Sequence, residues 1–290
     1  MRILLTGATG FVGRHLYPAL IDNGHSVLCA SRDPGRAATE LPGREWCYLD
    51  VADAASIRNA LRGCEASFYL VHGMSGGADY PEREEQAAQA FARAAKDAEL
   101  ARLVYLGGMA PQGKPSRHLL SRLRTGAILR HSGVPTIELR ASMIVGQGGA
   151  SWRICRDLAV RLPLMLLPRW LESRTQPIAI ADVVFALAEA VTLDASVVGD
   201  YDIPGPDTLS IRQILTRIAR LTGTRPLMIG VPFVTPQLSA YWIRLVARAD
   251  PHLAGELVEG LRSDILARNA RILGMLPAHE YLSFDDAARL

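Results

Sequence analysis

Short apolar runs alternate along the first half of the chain with longer stretches whose apolar positions recur every three or four residues. Ile3-Leu4-Leu5 reads as a buried strand, and Phe11 to Asn23, with Phe11, Val12, Leu16, Leu20 and Ile21 on one side, as a helix buried on one face. Ser26–Ala30, Trp46–Leu49, Ala66–Val71, Leu103–Leu106 and Pro135–Leu139 read as further strands. Helices are predicted between them around Ile57–Leu61, over Pro81–Leu100 and over Leu119–His131, with Gly63 and Gly133 as stops. Strands alternating with helices predict an α/β fold, a doubly wound parallel sheet covered on both faces. Right-handed crossovers then bring the carboxyl ends of the strands to one edge, where ligands bind.

The pattern loosens after Val145. A helix is expected over Ile154–Leu162, a proline-bounded apolar stretch over Leu164–Trp170, a strand at Ile178-Ala179-Ile180 and a helix over Asp182–Val191. A last strand is expected at Gly199–Ile203 and an amphipathic helix over Leu209–Leu221. The remainder reads as mostly helical, with Ser283 and Asp286 spaced as a helix start. Residues 1–145 thus form a core to which 175–203 return. Residues 146–174 and 204–290 form a smaller, mostly helical portion on the substrate or interface side. No repeat or low-complexity tract interrupts the chain.

Composition changes this picture little. The chain has 290 residues, 49% apolar and 21% charged, as expected of a globular protein with a full core. A net charge of +3 gives no reason to expect nucleic acid as a partner. Only Lys96 and Lys114 are lysines; the other basic residues are arginines. Cys29, Cys47, Cys64 and Cys155 form no C-x-x-C pair and are expected as free thiols, which suggests a reducing, cytoplasmic setting. No apolar window is long enough to span a membrane, and no spacing suggests a metal site.

The candidate chemistry lies between the first strand and the first helix. Thr6-Gly7-Ala8-Thr9-Gly10-Phe11-Val12-Gly13 is a G-x-x-G-x-x-G turn. Gly7 permits the sharp turn, Gly10 clears the approach of a pyrophosphate, and Gly13 lets helix and strand pack closely. The positive end of the helix then faces the anion. Thr9, Phe11 and Val12 complete this dinucleotide-binding candidate. The end of the second strand lies beside an adenosine ribose in such a fold, and here it reads Ser31-Arg32, with Arg36 near. Guanidinium groups suit a 2′-phosphate, so NADP is expected over NAD. Asp33, turned inward, would favour NAD.

Thr6 to Gly13, with Asp50-Val51 and the strand order, resembles the short-chain dehydrogenase/reductase superfamily, specifically its atypical, NmrA-like and epimerase/dehydratase-like members. Leu139–Gly146, Gln176–Val183 and Gly199–Ile203 are similar to later landmarks of the epimerase-like group. The likeness covers about residues 1–220. It implies a Rossmann-type fold, an adenine contact at Asp50 and Val51, and an adenine-ribose lining at Val71, His72 and Gly73. Some relatives hold a nicotinamide cofactor as structural subunits.

The resemblance also implies Y-x-x-x-K on the helix after the fifth strand, where the lysine lowers the tyrosine pKa so that tyrosine passes a proton. This chain has no Y-x-x-x-K. The two positions read His118 and Arg122, and the serine or threonine expected after the fifth strand is replaced by Gly107-Gly108. His118 titrates near neutrality and is a competent acid or base, with a pH profile bending near about 6.5; Arg122 can orient a ribose or phosphate. Alternatively both decorate a solvated helix face with Arg117, Arg124 and Arg130. Trp152, Met165, Trp170 and Met74 are candidates for an apolar substrate pocket, or else core. Asp182 reads as a helix start rather than as a chemical group. Tyr241-Trp242-Ile243 and Leu245-Val246 are candidates for a homodimer contact or a substrate lid. Two functions follow. One is an NADP-dependent oxidoreductase or epimerase-like enzyme with a degenerate tetrad and an unknown small-molecule substrate. The other is a non-catalytic redox sensor or structural subunit holding the cofactor.

Overall fold

The computed structural model describes residues 1–72, 79–231 and 263–290. Its elements run, in chain order, β1 (Arg2–Leu5), α1 (Phe11–Asp22), β2 (Ser26–Ser31), α2 (Pro34–Glu40), β3 (Glu45–Tyr48), α3 (Ala54–Leu61), β4 (Ala66–Tyr69), α4 (Tyr80–Asp97), β5 (Arg102–Gly108), α5 (Arg117–Arg130) and β6 (Thr136–Ala141). They continue with β7 (Ile144–Val145), α6 (Ala150–Arg161), β8 (Leu164–Pro168), β9 (Arg174–Thr175), β10 (Ile178–Ala179), α7 (Ile180–Ala190) and β11 (Gly199–Asp202). The last are β12 (Leu209–Ser210), α8 (Ile211–Leu221), β13 (Leu227–Val231) and α9 (Phe284–Ala287).

Seven parallel strands form the central sheet in the order β11-β6-β5-β4-β1-β2-β3. Strand residues alternate between two cores because successive side chains point to opposite faces. Ile3, Leu5, Val27, Cys29, Val104 and Leu106 pack with α1 and α7, whereas Leu4, Leu28, Leu103 and Tyr105 pack on the side of α3 to α5. A sheet covered on both faces leaves its strand ends as the place for a ligand. Strand order reverses between β1 and β4, the point of an open α/β sheet at which ligands bind.

Beyond β6 the structure holds both expected strands and departs from the sequence expectation at Leu227–Val231 and in the tail. Ile178-Ala179 does form a strand, but it pairs with β7 in a separate ribbon rather than joining the main sheet. Only Gly199–Asp202 returns to the sheet, beside β6. Leu227–Val231 is a strand paired with β8. The tail that reads as mostly helical holds, over 263–290, only a 3₁₀ turn at Arg271–Gly274 and the short α9. Its backbone groups are instead satisfied by aspartates of the core. Ser283 does start α9, its Oγ accepting from the Asp286 amide at 3.2 Å.

A third core joins α6, α8 and α9. Trp152 and Met165 belong to it, buried against Phe284 and Leu215, so they are core rather than pocket lining. Met74 and the Tyr241–Val246 stretch lie outside the described residues, as does the side chain of Trp170. All four cysteines are free, and burial pushes the Cys29 and Cys47 thiols up to about 11. No helix among the described residues is long and apolar enough to cross a membrane, and no group of three or more His, Cys, Asp or Glu side chains among them is placed to hold a metal.

Candidate functional site

The turn after β1 is built for close approach. Gly7 has φ +67°, and a Cβ there would stand 2.7 Å from the Leu70 carbonyl oxygen of the neighbouring strand end. A Cβ on Gly13 would overlap the Gly7 carbonyl, so α1 rests directly on the turn. At Gly10 a Cβ would meet only Gly7 O, at 3.1 Å, which leaves that side open. Thr6 ties the turn to β4: its Oγ1 donates to Phe68 O at 2.9 Å and accepts from Leu70 N at 3.0 Å. Among the described residues no side chain caps α1, and no acid sits in its first turn, so its leading N–H groups remain for an anion. Thr9 and Gly10 are exposed. Val12 packs against the core, and the Phe11 ring supports the loop at Gly148 and Gly149. These residues fit the diphosphate of a dinucleotide.

At its carboxyl end, β2 delivers Ser31 and Arg32, the residues expected beside an adenosine ribose. Asp33 does not turn inward. Its carboxylate accepts from the Arg36 amide at 3.0 Å and caps α2, while its own amide donates to Ser31 Oγ at 3.1 Å. Arg32 is exposed and makes no ion pair among the described residues. Arg36 is turned toward Glu40, Nε to Oε1 2.8 Å. Asp50 follows β3; one carboxylate oxygen accepts from Ala52 N at 2.9 Å, and its backbone exchanges hydrogen bonds with Ser56. Val51 is half-buried against the second core. Val71 and His72 follow β4. Gly73 lies outside the described residues.

The residues expected at the substrate lie on β5 and α5. Ser116 caps α5, accepting from Leu119 N at 3.3 Å. His118 lies in the first turn, its ring centroid 6.2 Å from that of His72. The solvated-face alternative fails for both candidates, which are half-buried. One Arg122 Nη donates to the Leu106 carbonyl at the end of β5. The Arg122 backbone carbonyl accepts from Tyr105 OH at 3.1 Å. Burial, then the Arg122 charge, pushes the His118 pKa down to about 4. The imidazole is therefore neutral at pH 7. Gly107-Gly108 has a steric cause. A Cβ at Gly107 would stand 2.7 Å from Glu138 Oε1, and one at Gly108 2.7 Å from Leu119 Cδ1. No hydroxyl-bearing side chain fits there without repacking.

Three features have no clear sequence signal. Arg14 donates from Nε to Thr9 O at 2.8 Å and reaches Glu40 at 3.3 Å. Glu138, fully buried in β6, is held by Arg130 and by Arg140 (2.8 Å), and Arg140 also pairs with Asp200 at 2.5 Å. Arg268 and Gln112 join the tail to the loop after β5, through Arg268 Nη2 to Pro111 O at 3.0 Å and Gln112 N to Asp264 O at 2.8 Å. The carboxylate of Asp182 is buried in the first turn of α7. It accepts from Leu282 N at 3.0 Å and lies 2.8 Å from His279 Nε2, so it anchors the tail.

Comparison with known proteins agrees with this geometry. Residues 7–142 match the NAD(P)H-binding family. The chain is 27% identical to (4-alkanoyl-5-oxo-2,5-dihydrofuran-3-yl)methyl phosphate reductase of Streptomyces griseus, over 94% of this chain and 93% of that one. Among solved structures, a Staphylococcus aureus nucleoside-diphosphate-sugar epimerase superposes with a TM-score of 0.81 at 16% identity, covering 100% of both chains. Triphenylmethane reductase of Citrobacter sp., complexed with NADP(H), superposes with a TM-score of 0.77 at 14% identity, covering 100% of this chain and 99% of that one. At these identities the superpositions speak for the fold. Residues 7–142 thus match the model of the NAD(P)H-binding family, and the chain shares its fold with these epimerase and reductase structures.

Proposed function

We propose that the chain binds NADP(H) in preference to NAD(H), with the Gly7–Gly13 turn on the diphosphate, Ser31 and Arg32 on the ribose phosphate, and Asp50 and Val51 at the adenine. In this reading it reduces an electron-poor small molecule that needs no proton from the protein. One observation carries the second statement: the His118 imidazole is held neutral and the Arg122 guanidinium is bonded to the Leu106 carbonyl, so neither replaces a tyrosine–lysine pair. A nicotinamide held there would supply the hydride. The chain orients it through the glycine turn and shields the substrate end with β5 and α5. His118 can hydrogen-bond a polar substrate group without carrying the extra proton.

Reduction of a simple ketone leaves an alkoxide that must be protonated as it forms, and losing an acid group there costs ~10²–10⁴ in rate. A cationic dye becomes neutral on gaining a hydride. A quinone or a conjugated dicarbonyl gives a delocalised anion that water can protonate. The names of the Streptomyces and Citrobacter proteins, a dihydrofuranone phosphate reductase and a triphenylmethane reductase, support this class of acceptor.

The test is consumption of NADPH with quinones, a cationic triarylmethane dye and an unsaturated dicarbonyl, against simple ketones and aldehydes. The first group is expected to react at least ~10²-fold faster. Equal rates would overturn the reading. No consumption of tightly bound NADPH by any acceptor would favour a cofactor-holding role as sensor or structural subunit. Fluorescence titration is expected to give tighter NADPH than NADH binding, and Arg32→Ala to erase the difference.

A further inference from the structure

Two guanidinium groups from different elements converge on one carboxylate at the adenosine end. Arg36 reaches Glu40 one turn along α2, Nε to Oε1 2.8 Å, and Arg14 reaches it from α1, Nη2 to Oε2 3.3 Å. Each oxygen of the carboxylate serves one arginine, which is how a small oxyanion is held by two guanidiniums. Arg14 is also bonded to Thr9 O of the phosphate turn at 2.8 Å. The pair is therefore a bridge from the diphosphate turn to the ribose end.

The bridge is exposed. The side chains of Arg36, Arg14 and Glu40 are 76%, 46% and 39% accessible. Exposed ion pairs are weak and exchange partners readily. The Arg36 backbone, by contrast, is fixed by the Asp33 cap, so its guanidinium can change acceptor while α2 stays in place. Ser31 and the exposed Arg32, which makes no ion pair among the described residues, lie just before this site in the chain.

We propose that Glu40 sets the discrimination between NADP(H) and NAD(H), because its carboxylate occupies the two arginines that a 2′-phosphate would otherwise recruit. This rests on the NADP reading of the preceding subsection for the identity of the anion. A 2′-phosphate must displace Glu40 from Arg36 and Arg14 and also meets its negative charge; a plain 2′-hydroxyl meets neither obstacle. Glu40 then lowers affinity for the phosphorylated nucleotide and leaves the other unchanged.

The test uses 2′,5′-ADP and 5′-ADP as probes, titrated calorimetrically against the full chain, so that no reaction is involved. Glu40→Gln keeps the shape and removes the charge. The ratio of 2′,5′-ADP to 5′-ADP affinity is expected to rise about two- to fivefold, the scale of one or two exposed ion pairs. Adding Arg36→Ala is expected to remove the gain. An unchanged ratio, or an equal gain for both probes, would overturn the role of Glu40. A wild-type protein that binds 5′-ADP as tightly as 2′,5′-ADP would overturn the NADP reading, whereas the role of Glu40 is read from the change in ratio on substitution.

Discussion

His118 feels two influences of the same sign: burial disfavours its charged form, and so does the Arg122 guanidinium. Its folded pKa of about 4 lies below the ordinary value of about 6.5. Between those limits the unfolded chain binds a proton that the folded chain does not. The contribution of His118 to stability is thus complete above about pH 6.5 and is lost as the pH falls through about 4. At about pH 4.5 the loss should reach about 2 kcal/mol relative to about pH 7. Urea unfolding at both values, on the wild type and on His118→Gln, isolates it: the wild type should lose more by that amount. Parallel losses in the two proteins would mean that the imidazole titrates normally. The sequence identified this position by its alignment with the Y-x-x-x-K helix that the resemblance implies, and an alignment could not tell a solvated pair from a half-buried one. That depends on β5, whose Leu106 carbonyl takes the guanidinium.

Among elements, the strands and helices through β6 were legible because each carries its own period. Ile3 and Leu5 face one core and Leu4 the other, and α1 shows a buried edge at Leu16 and Leu20. β10 was legible as a strand at Ile178-Ala179, but its partner was not: it pairs with β7, beside the turn where Ser142 Oγ donates to Gln176 O at 2.5 Å. Glu138 and Arg140, two apart in β6, share a face, but their other partners come from α5 and from β11, sixty residues on. No local rule links them. Arg102 is a similar case at the start of β5. It is buried and donates to three carbonyls after α7: Val197 at 2.7 Å, Leu193 at 2.8 Å and Asp194 at 2.6 Å. Burial lowers its pKa, so the site tolerates the charge only because the fork fills those acceptors. Arg102→Lys keeps the charge and loses the fork. It should cost about 1–3 kcal/mol in chemical denaturation, with faster amide exchange across 191–199. A variant as stable as the wild type would show that water satisfies those carbonyls equally well.

Across the whole molecule, the tail from Ser263 to Leu290 is held to the α/β core by carboxylates rather than by regular structure. Asp202 Oδ2 accepts from the amides of Arg268 and Asn269 at 2.7 and 3.0 Å, Asp182 from Leu282, and Asp207 from Phe284 at 2.8 Å. Ile272 and Leu276 then pack into the first core, and Phe284 and Ala287 into the third. The stretch from Ser263 to Asn269 crosses the loop after β5, where Gly113 leaves room for Ser263 and the Gln112 amide donates to Asp264 O at 2.8 Å. It thereby steadies the approach to α5 and His118. Asp202 is buried, so Asp202→Ala leaves two amides without their acceptor, a local loss of about 2–3 kcal/mol. Amide exchange should then quicken about thirty- to a hundredfold at Arg268 and Asn269, and to a smaller degree at Gln112. The amides of β1 and β4, far along the sheet, should keep their protection, because the cores that hold them do not use Asp202. If exchange quickened equally everywhere, Asp202 would be a general stabiliser of the fold. If none of these amides changed, the two apolar contacts would hold the tail alone, and the coupling between tail and the loop before α5 would be absent.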